Sequence, residues 1–587
     1  MKKDNHHDEI RHSLAHLLAA AVLKKYPKTK LGIGPVIEHG FYYDFKTPMP
    51  LTPEDLKELE TTMRDYIKQS LPFKGKKVTP AEAKKLFSLK GREQPFKLEL
   101  IEEFKKDKKP LTVYATGEIF LDLCRGGHVK NTKEINPDAF TLTHLAGAYW
   151  RGDEKKAQLT RVYGLAFETK KELDEHLAML EEAKRRDHRK LGAELDLFTF
   201  DDLVGKGLPL WLPHGTILKN QIEQCAIEME ERYGYERVST PHLAKEELYL
   251  TSGHLPYYKE GMYPAMTMDD GTYYLKSMNC PHHHLIYKAR PRSYRDLPLR
   301  FAEYGTVYRN ELSGTLAGLL RVRMLSMNDA HIYCTKDQIE EEFKKVIALN
   351  LEYFKLFGLT HYWFRLSKWD PKRKGKYINE PANWKLTESV LRKILKEMNV
   401  PFTEVADEAA FYGPKVDVQF KSVIGREESL STIQLDFAAK KRFGLSYVDK
   451  NGKENNEVFV IHRAPLSTHE RFIAFLLEHY AGVFPLWLSP LQVAILPVSE
   501  NHFAHAEIIT QELKKNHIRV TLNSANETLG KRIREAELKK IPSILVIGDK
   551  EVESGTVSVR TRGIKESVVL PVEEYIKKLK ERIFSKS

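Results

Sequence analysis

Apolar and polar positions follow a different rhythm in each of four stretches of this chain. Residues 1–167 open on a helical pattern carrying His12-Ser-Leu-Ala-His16-Leu-Leu, then turn to strand-like, turn-rich text (G-I-G-P-V-I-E-H-G-F-Y-Y-D-F) and two or three charged helices. Residues 168–192 place Leu173, Leu177 and Leu180 at helical spacing among charges, which predicts a solvated connector helix. In 193–487 a G-L-P-L-W-L-P turn precedes a helix whose apolar positions are Ile217, Leu218, Ile222, Cys225, Ala226 and Met229. Y-G-Y-E-R-V-S-T-P then reads as an exit into a strand stopped by Pro241. Apolar β runs alternate with charged helices as far as Pro485 and Pro490, which bracket a boundary. In 488–587 the short runs V-A-I-L-P, I-R-V-T-L, S-I-L-V-I-G and T-V-S-V-R alternate with helices, a βαβ pattern.

Length agrees with this division, since 587 residues exceed one core and two to four domains are expected. A hydrophobic share of 42% excludes a disordered chain. The net charge of +12 fits a polyanionic partner, but 93 basic residues are offset by 81 acidic ones, so charge alone favours nucleic acid only weakly. Cys124, Cys225, Cys280 and Cys334 show no disulfide spacing, which predicts a reducing compartment. The N-terminus has no apolar signal run, and no stretch approaches the roughly 18 apolar residues of a membrane span. A cytoplasmic protein is expected.

Candidate chemistry changes the picture more. Cys280, His331 and His462 sit in M-N-C-P-H-H-H, N-D-A-H-I-Y-C and V-I-H-R-A-P-L. One thiolate and two imidazoles suit zinc, and three protein ligands leave a position open for a small molecule. With 23 His in the chain, ligand type alone is weak evidence, so the flanking motifs must decide. His12 and His16 lie four apart on one helix face. A metalloprotease reading of this pair fails, because Ser13 stands where the Glu base would follow the first His.

The motifs resemble those of class II aminoacyl-tRNA synthetases. R-F-A-E-Y-G-T-V-Y-R-N-E-L-S-G-T-L-A-G-L-L-R-V-R (300–323) is similar to their motif 2, H-R-A-P-L-S-T-H-E-R-F (462–472) to motif 3, and the helix–strand ending at Pro241 to motif 1. With M-N-C-P, N-D-A-H-I-Y-C, A-F-Y-G-P-K-V-D and T-I-Q-L-D-F, nearly the whole chain resembles the threonyl-tRNA synthetase family. The resemblance implies a multi-domain α+β and α/β fold. An α+β editing domain (1–167) would be followed by a linker helix (168–192). A class II catalytic core on an antiparallel sheet (193–487) and an α/β anticodon-binding domain (488–587) would complete it. It implies a homodimer formed through the motif 1 region. It also implies threonine activation by ATP, transfer to tRNA(Thr), and hydrolysis of mischarged Ser-tRNA(Thr).

Residue roles are implied in the same way. Arg309 would hold the α-phosphate and the amino-acid carboxylate, Glu311 the adenine end, and Arg321 and Arg471 the other phosphates, with Mg²⁺ accompanying ATP. Arginine suits phosphate because its planar fork binds two oxygens. Zn²⁺ on Cys280, His331 and His462 would take the threonine amino and hydroxyl groups, beside Asp329, Tyr412, Lys415 and Gln434. A site that demands a polar contact rejects valine, whereas serine differs by a methyl worth only roughly 1–3 kcal/mol. Editing is therefore needed, and His12, His16, Asp122, Cys124 and His128 resemble the family's editing constellation. A second zinc is chemically open there; a metal-free hydrolase is the expectation. Asn526, Glu551 and Arg560 would touch anticodon bases. The alternative is a synthetase-like paralogue that binds RNA without aminoacylation.

Four departures stand out. The chain begins close to His12, so the ubiquitin-like domain usual in bacterial relatives is expected to be lacking. Met327 and Asn328 replace the first Gln-Asp of Q-D-D-A-H, and a thioether cannot replace an amide's hydrogen bonds. Ser467 stands where Gly is common. The triplet His282-His283-His284 after Cys280 reads as local variation near the site, with a stray metal ligand as the alternative.

Overall fold

The computed structural model describes residues 5–89, 93–373, 375–422 and 425–586. They form two compact units, Met1–Glu181 and Glu182–Ser587. In the first unit the helix Asn5–Lys25 buries Leu14, Ala15, Leu17, Leu18, Ala19, Ala21 and Val22 on every side. A helix apolar all round belongs in a core, and this one is wrapped by the helix Pro53–Lys68 and by the strands Gly40–Lys46 and Phe120–Leu123. A five-stranded sheet (Lys30–Leu31, Val36–Ile37, Gly40–Lys46, Phe140–Tyr149, Gln158–Ala166), a three-stranded one (Phe73–Val78, Leu111–Thr116, Phe120–Leu123) and the helices Pro80–Phe87 and Pro95–Lys106 make up the rest of its fold.

The predicted connector is not one helix. It spans Lys170–Arg186 and His188–Glu194, because the Asp187 side chain accepts from Arg189 N and caps a second start.

The second unit is built on eight strands: β1 (Glu236–Arg237), β2 (Leu299–Tyr308), β3 (Met324–Cys334), β4 (Tyr362–Lys368), β5 (Phe402–Ala406), β6 (Lys415–Lys421), β7 (Glu427–Asp436) and β8 (Phe459–Ala464). Their order is β1-β2-β3-β8-β7-β6-β4-β5, antiparallel except at the two edges. Helix α1 (Pro213–Arg232) lays Leu218, Ile222, Cys225, Ala226 and Met229 into the main core, as the periodicity predicts, while Ile217, the sixth expected position, is only half-buried and stays outside it. The exit strand is shorter than expected. Beyond Arg237 the Thr240 N–H donates to the Glu303 carboxylate (2.9 Å) rather than to a ladder, and Pro241 has no N–H to give.

The C-terminal sheet runs Val520–Leu522, Val493–Pro497, Ser543–Ile547, Thr556–Thr561, Ser567–Pro571. The first three strands are parallel, as the βαβ reading requires, and the last two antiparallel. Only the six-residue helix Asp549–Ser554 separates the third strand from the fourth. That is too short for a parallel crossover, which needs a dozen residues or more.

A buried ion pair ties α1 to the eight-stranded sheet. Arg463 on β8, fully buried, puts Nη1 2.8 Å from Glu230 Oε1 at the end of α1, and its guanidinium lies 4.2 Å from the Tyr235 ring centre. Asn328 Nδ2 donates to the same carboxylate (2.9 Å). Breaking one side of a buried pair strands the other charge. Glu230→Gln is expected to destabilise the catalytic unit by about 3–5 kcal/mol in chemical denaturation, and an unchanged midpoint would show that the pair is not structural.

Candidate functional site

Three elements bring the predicted metal ligands together. Cys280 opens helix α2 (Cys280–Lys288), while His331 on β3 and His462 on β8 are direct cross-strand partners. One ligand atom from each lies within 4.8 Å of the others. The surrounding hydrogen bonds fix the imidazole tautomers. His283 Nε2 lies 3.1 Å from Glu303 Oε2, and His283 Nδ1 lies 2.8 Å from His331 Nδ1. Burial would raise the Glu303 pKa, but the His283 hydrogen bond and nearby Lys276 outweigh it and hold it at about 2. An ionised carboxylate can only accept. His283 therefore donates through Nε2, receives at Nδ1 from His331, and leaves His331 Nε2 as a lone pair.

His462 Nε2 similarly lies 3.2 Å from Asp436 Oδ2, while Asp436 Oδ1 accepts from Ala438 N (2.6 Å) and Ala439 N (2.9 Å). The two nitrogens left over, His331 Nε2 and His462 Nδ1, are buried without any hydrogen-bond partner. Buried polar nitrogens are rarely left so. Two free imidazole lone pairs and a thiol fit a tetrahedral zinc with a fourth position open.

A cleft of about 570 Å³ opens beside this cluster. Cys280 and His462 line it together with Arg309, Glu311, Arg321, Arg471, Asp329, Tyr412, Lys415 and Gln434. Asp329 stands two residues before His331 on β3 and so shares its face. Asn279 Nδ2 donates to Asp329 Oδ2 (3.1 Å), and burial raises the Asp329 pKa. The Tyr412 hydroxyl donates to Gln434 Oε1, and Gln434 on β7 is the cross-strand partner of His462. Lys415 pairs with Asp417 (2.9 Å).

Arg321 pairs with Glu311 (2.8 Å) and Arg471 with Glu428 (2.7 Å). The Nε atoms of Arg309 and Arg471 are buried donors without a partner. Arg471 lies in the first turn of helix α3 (His469–Tyr480), where its N–H is capped by Thr468 Oγ1 and the helix dipole favours an anion.

The sequence departures have definite places. Met327 lines the cleft and packs on Val307, Val322 and Leu325, giving an apolar patch. Ser467 has φ +54°, the left-handed region that a glycine occupies freely and a serine only at a cost. Of the histidine triplet, His283 is the bridge behind His331 and His284 Nδ1 meets the Tyr333 hydroxyl (2.9 Å). Neither His283 nor His284, nor the buried His282, belongs to the ligand group.

Unit Met1–Glu181 holds a second cluster. His12 and His16 on the buried helix, with Cys124 and His128 from the loop after Phe120–Leu123, place one ligand atom each within 4.8 Å of one another. Gly126 (φ +94°) and Gly127 (φ +82°) fold that loop back, in a conformation that other residues reach only with strain. Cys124 Sγ lies 3.4 Å from His12 Nε2 and 3.2 Å from His128 Nε2. Burial pushes the Cys124 thiol up to about 11 and lowers His12, His16 and His128, so the cluster is uncharged at neutral pH. Asp122 is adjacent, and Lys97 Nζ (2.6 Å) and the Tyr43 hydroxyl (2.6 Å) hold its two oxygens.

In the C-terminal module Asn526 is exposed and accepts from Ser524 Oγ (2.9 Å). Glu551 accepts from Gly548 N (2.9 Å), and Arg560 pairs with Glu537 (3.5 Å). No hydrogen bond or ion pair described here links the three to one another.

Sequence reasoning missed His283, Glu303, Asp436, Lys97 and Tyr43. His283, Glu303 and Asp436 lie inside quoted motifs, so their signal was present but unassigned. Lys97 and Tyr43 have no local signature and become visible only through burial.

Comparisons with known proteins bear on all three regions. The profile of the tRNA synthetase class II core domain (G, H, P, S and T) matches residues 263–480. That of the anticodon binding domain matches 492–582, and that of the threonyl and alanyl tRNA synthetase second additional domain matches 111–163. A threonine–tRNA ligase of Oceanobacillus iheyensis is 47% identical over 578 residues, 98% of this chain and 88% of that protein. One of Geobacillus kaustophilus is 48% identical over 580 residues, 99% and 88% respectively. Among solved structures, the RNA binding domain of a threonyl-tRNA synthetase from Cryptosporidium parvum superimposes with TM-score 0.64 at 35% identity. It covers 67% of this chain and 98% of its own. A putative threonyl-tRNA synthetase from Aeropyrum pernix gives 0.58 at 27%, covering 69% and 97%.

Two expectations follow from the geometry. Removal of a group that orients a metal ligand costs about 10–100-fold in metal affinity. His283→Ala should show a loss of that size in competition with a chromophoric chelator, and wild-type affinity would refute the tautomer argument. Ser467→Gly should be neutral or stabilising by about 1 kcal/mol, while Ser467→Val should cost about 1–2 kcal/mol in urea denaturation. Equal stability of the two variants would remove the strain at Ser467.

Proposed function

The chain belongs to the threonyl-tRNA synthetase family, and from that premise we propose how its residues divide the work of joining threonine to tRNA(Thr). The observation that carries the proposal is the pair of buried, unpartnered nitrogens, His331 Nε2 and His462 Nδ1, grouped with Cys280, where Cys280 and His462 line the cleft. Zinc on these three residues would act as a Lewis acid toward the threonine amino and hydroxyl groups. Asp329 accepts a hydrogen bond from the same hydroxyl, and Tyr412 and Gln434 close the pocket around the side chain. Valine offers a methyl there and gives Asp329 no hydroxyl to accept from, so it is rejected. His283 and Asp436 act only through the ligands that they orient.

Activation joins a threonine carboxylate oxygen to the α-phosphorus of ATP and breaks its bond to diphosphate. Arg309 holds the carboxylate and the α-phosphate in line for that attack, Glu311 the adenine end, and Arg321 and Arg471 the departing phosphates with Mg²⁺. Their contribution is positioning and charge stabilisation in a site already arranged. The tRNA terminal hydroxyl then takes the threonyl group and AMP leaves. Asn526, Glu551 and Arg560 present hydrogen-bonding groups to splayed anticodon bases.

Serine keeps the hydroxyl and passes the first site. The cluster of His12, His16, Cys124 and His128 beside Asp122 hydrolyses Ser-tRNA(Thr) without metal. Burial keeps the imidazoles neutral and so able to accept a proton from water.

A homodimer through the motif 1 region and a cytoplasmic location complete the reading. Four free cysteines support that location, and among the described residues no helix is long and apolar enough to cross a membrane. The RNA-binding paralogue without ligase activity is disfavoured, because the motif arginines and all three zinc-type ligands are present.

ATP–pyrophosphate exchange tests the reading. Exchange with threonine and weakly with serine, none with valine, and loss on chelation are expected. No exchange with any of them, in folded and metal-replete protein, would overturn it and turn attention to Met327.

A further inference from the structure

The two clusters of this chain differ in one respect that matters for metals. The catalytic set offers three ligands, the N-terminal pocket four. Three protein ligands leave a coordination position open; four complete the tetrahedron.

The pocket is also close to the right size. Zn–S and Zn–N bonds of about 2.3 and 2.0–2.1 Å place ligand S and N atoms about 3.5 Å apart across a tetrahedral ion. Cys124 Sγ stands 3.4 Å from His12 Nε2 and 3.2 Å from His128 Nε2 without any ion. The tautomer of His128 suits a ligand. Ser13 Oγ gives its proton to Glu9 O (2.8 Å), so at 3.3 Å it can only accept from His128 Nδ1–H, which leaves Nε2 as a lone pair facing Cys124. His16, only 1% exposed, has a ring nitrogen, Nδ1, with no hydrogen-bond partner. The scaffold is stiff, since His12 and His16 are one turn apart on a helix in the core. Gly126 N–H donates to Cys124 Sγ (3.3 Å) and fixes the loop.

We propose that the N-terminal pocket is a closed four-ligand site for a thiophilic divalent cation of the Zn²⁺ or Co²⁺ class, and that filling it switches hydrolysis off. The inference rests on the editing reading given above. On binding, the Cys124 thiol releases its proton to solvent and the thiolate joins three neutral imidazoles around the ion. No position then remains for water or for the seryl ester. The lone pairs of His12, His16 and His128 that would receive a proton from water are occupied by the metal. Metal beyond that needed for the catalytic set thus suppresses editing and leaves aminoacylation running, so the same ion serves one site and closes the other.

The test uses the full chain with its catalytic set filled with Zn²⁺, titrated with Co²⁺. One further equivalent should bind with a thiolate-to-cobalt charge-transfer band. The band should be lost in Cys124→Ser and, as a second variant, in His16→Gln. Ser-tRNA(Thr) hydrolysis should fall in step with the band, approach zero at saturation and return on mild chelation. Threonine-dependent pyrophosphate exchange should not change. Absence of a second equivalent, a filled site that leaves hydrolysis intact, or metal that speeds hydrolysis would each overturn the proposal. If the protein without added cobalt does not hydrolyse Ser-tRNA(Thr), the editing reading itself fails, and the optical titration still reports independently whether the site binds metal.

Discussion

The register between β3 and β8 is the constraint on which the catalytic unit depends. It sets His331 opposite His462 and, through β7, sets Gln434 opposite His462 on the other side. Because side chains alternate along a strand, a slip of one residue would turn a ligand to the opposite face. The same pairing puts Arg463 beside His462 but on the reverse face, where it meets Glu230 of α1. One strand therefore holds the chemistry on one side and the core on the other.

Both clusters are organised from behind. His331 and His462 are held by His283–Glu303 and by Asp436, and His128 by Ser13. In each case a hydrogen bond to one ring nitrogen decides what the other can do. The ionised Glu303 is sustained in the interior because His283, Thr240 and Lys276 surround it. Unpaired it would be costly to bury.

Much of this was legible in the sequence because the chemistry is carried by contiguous strings. Cys280, His331, His462, Arg309 and Arg471 each sit in a motif whose neighbours identify it, and the structure collects them around one cleft. Helix α1 was read correctly from its 3.6-residue period. The groups that hold Asp122 were not legible, since Lys97 and Tyr43 reach it from distant parts of the chain. The exit strand after α1 ended early because a side chain, Glu303, replaced the ladder at Thr240. The antiparallel edge of the C-terminal sheet was missed because alternation of strand and helix does not reveal that a connecting helix is too short to cross over. Ser467 looked anomalous by resemblance, and its positive φ gives the physical reason that a glycine suits the position.

The central claim is that Cys280, His331 and His462 present an incomplete coordination sphere that threonine fills. X-ray absorption at the zinc edge, with the N-terminal pocket emptied by mild chelation, measures this directly. One sulfur, two imidazole nitrogens and one light atom are expected without substrate, and addition of threonine should raise the count of light-atom neighbours as the sphere expands to five. A sphere that stays four-coordinate and unchanged with saturating threonine would contradict the account.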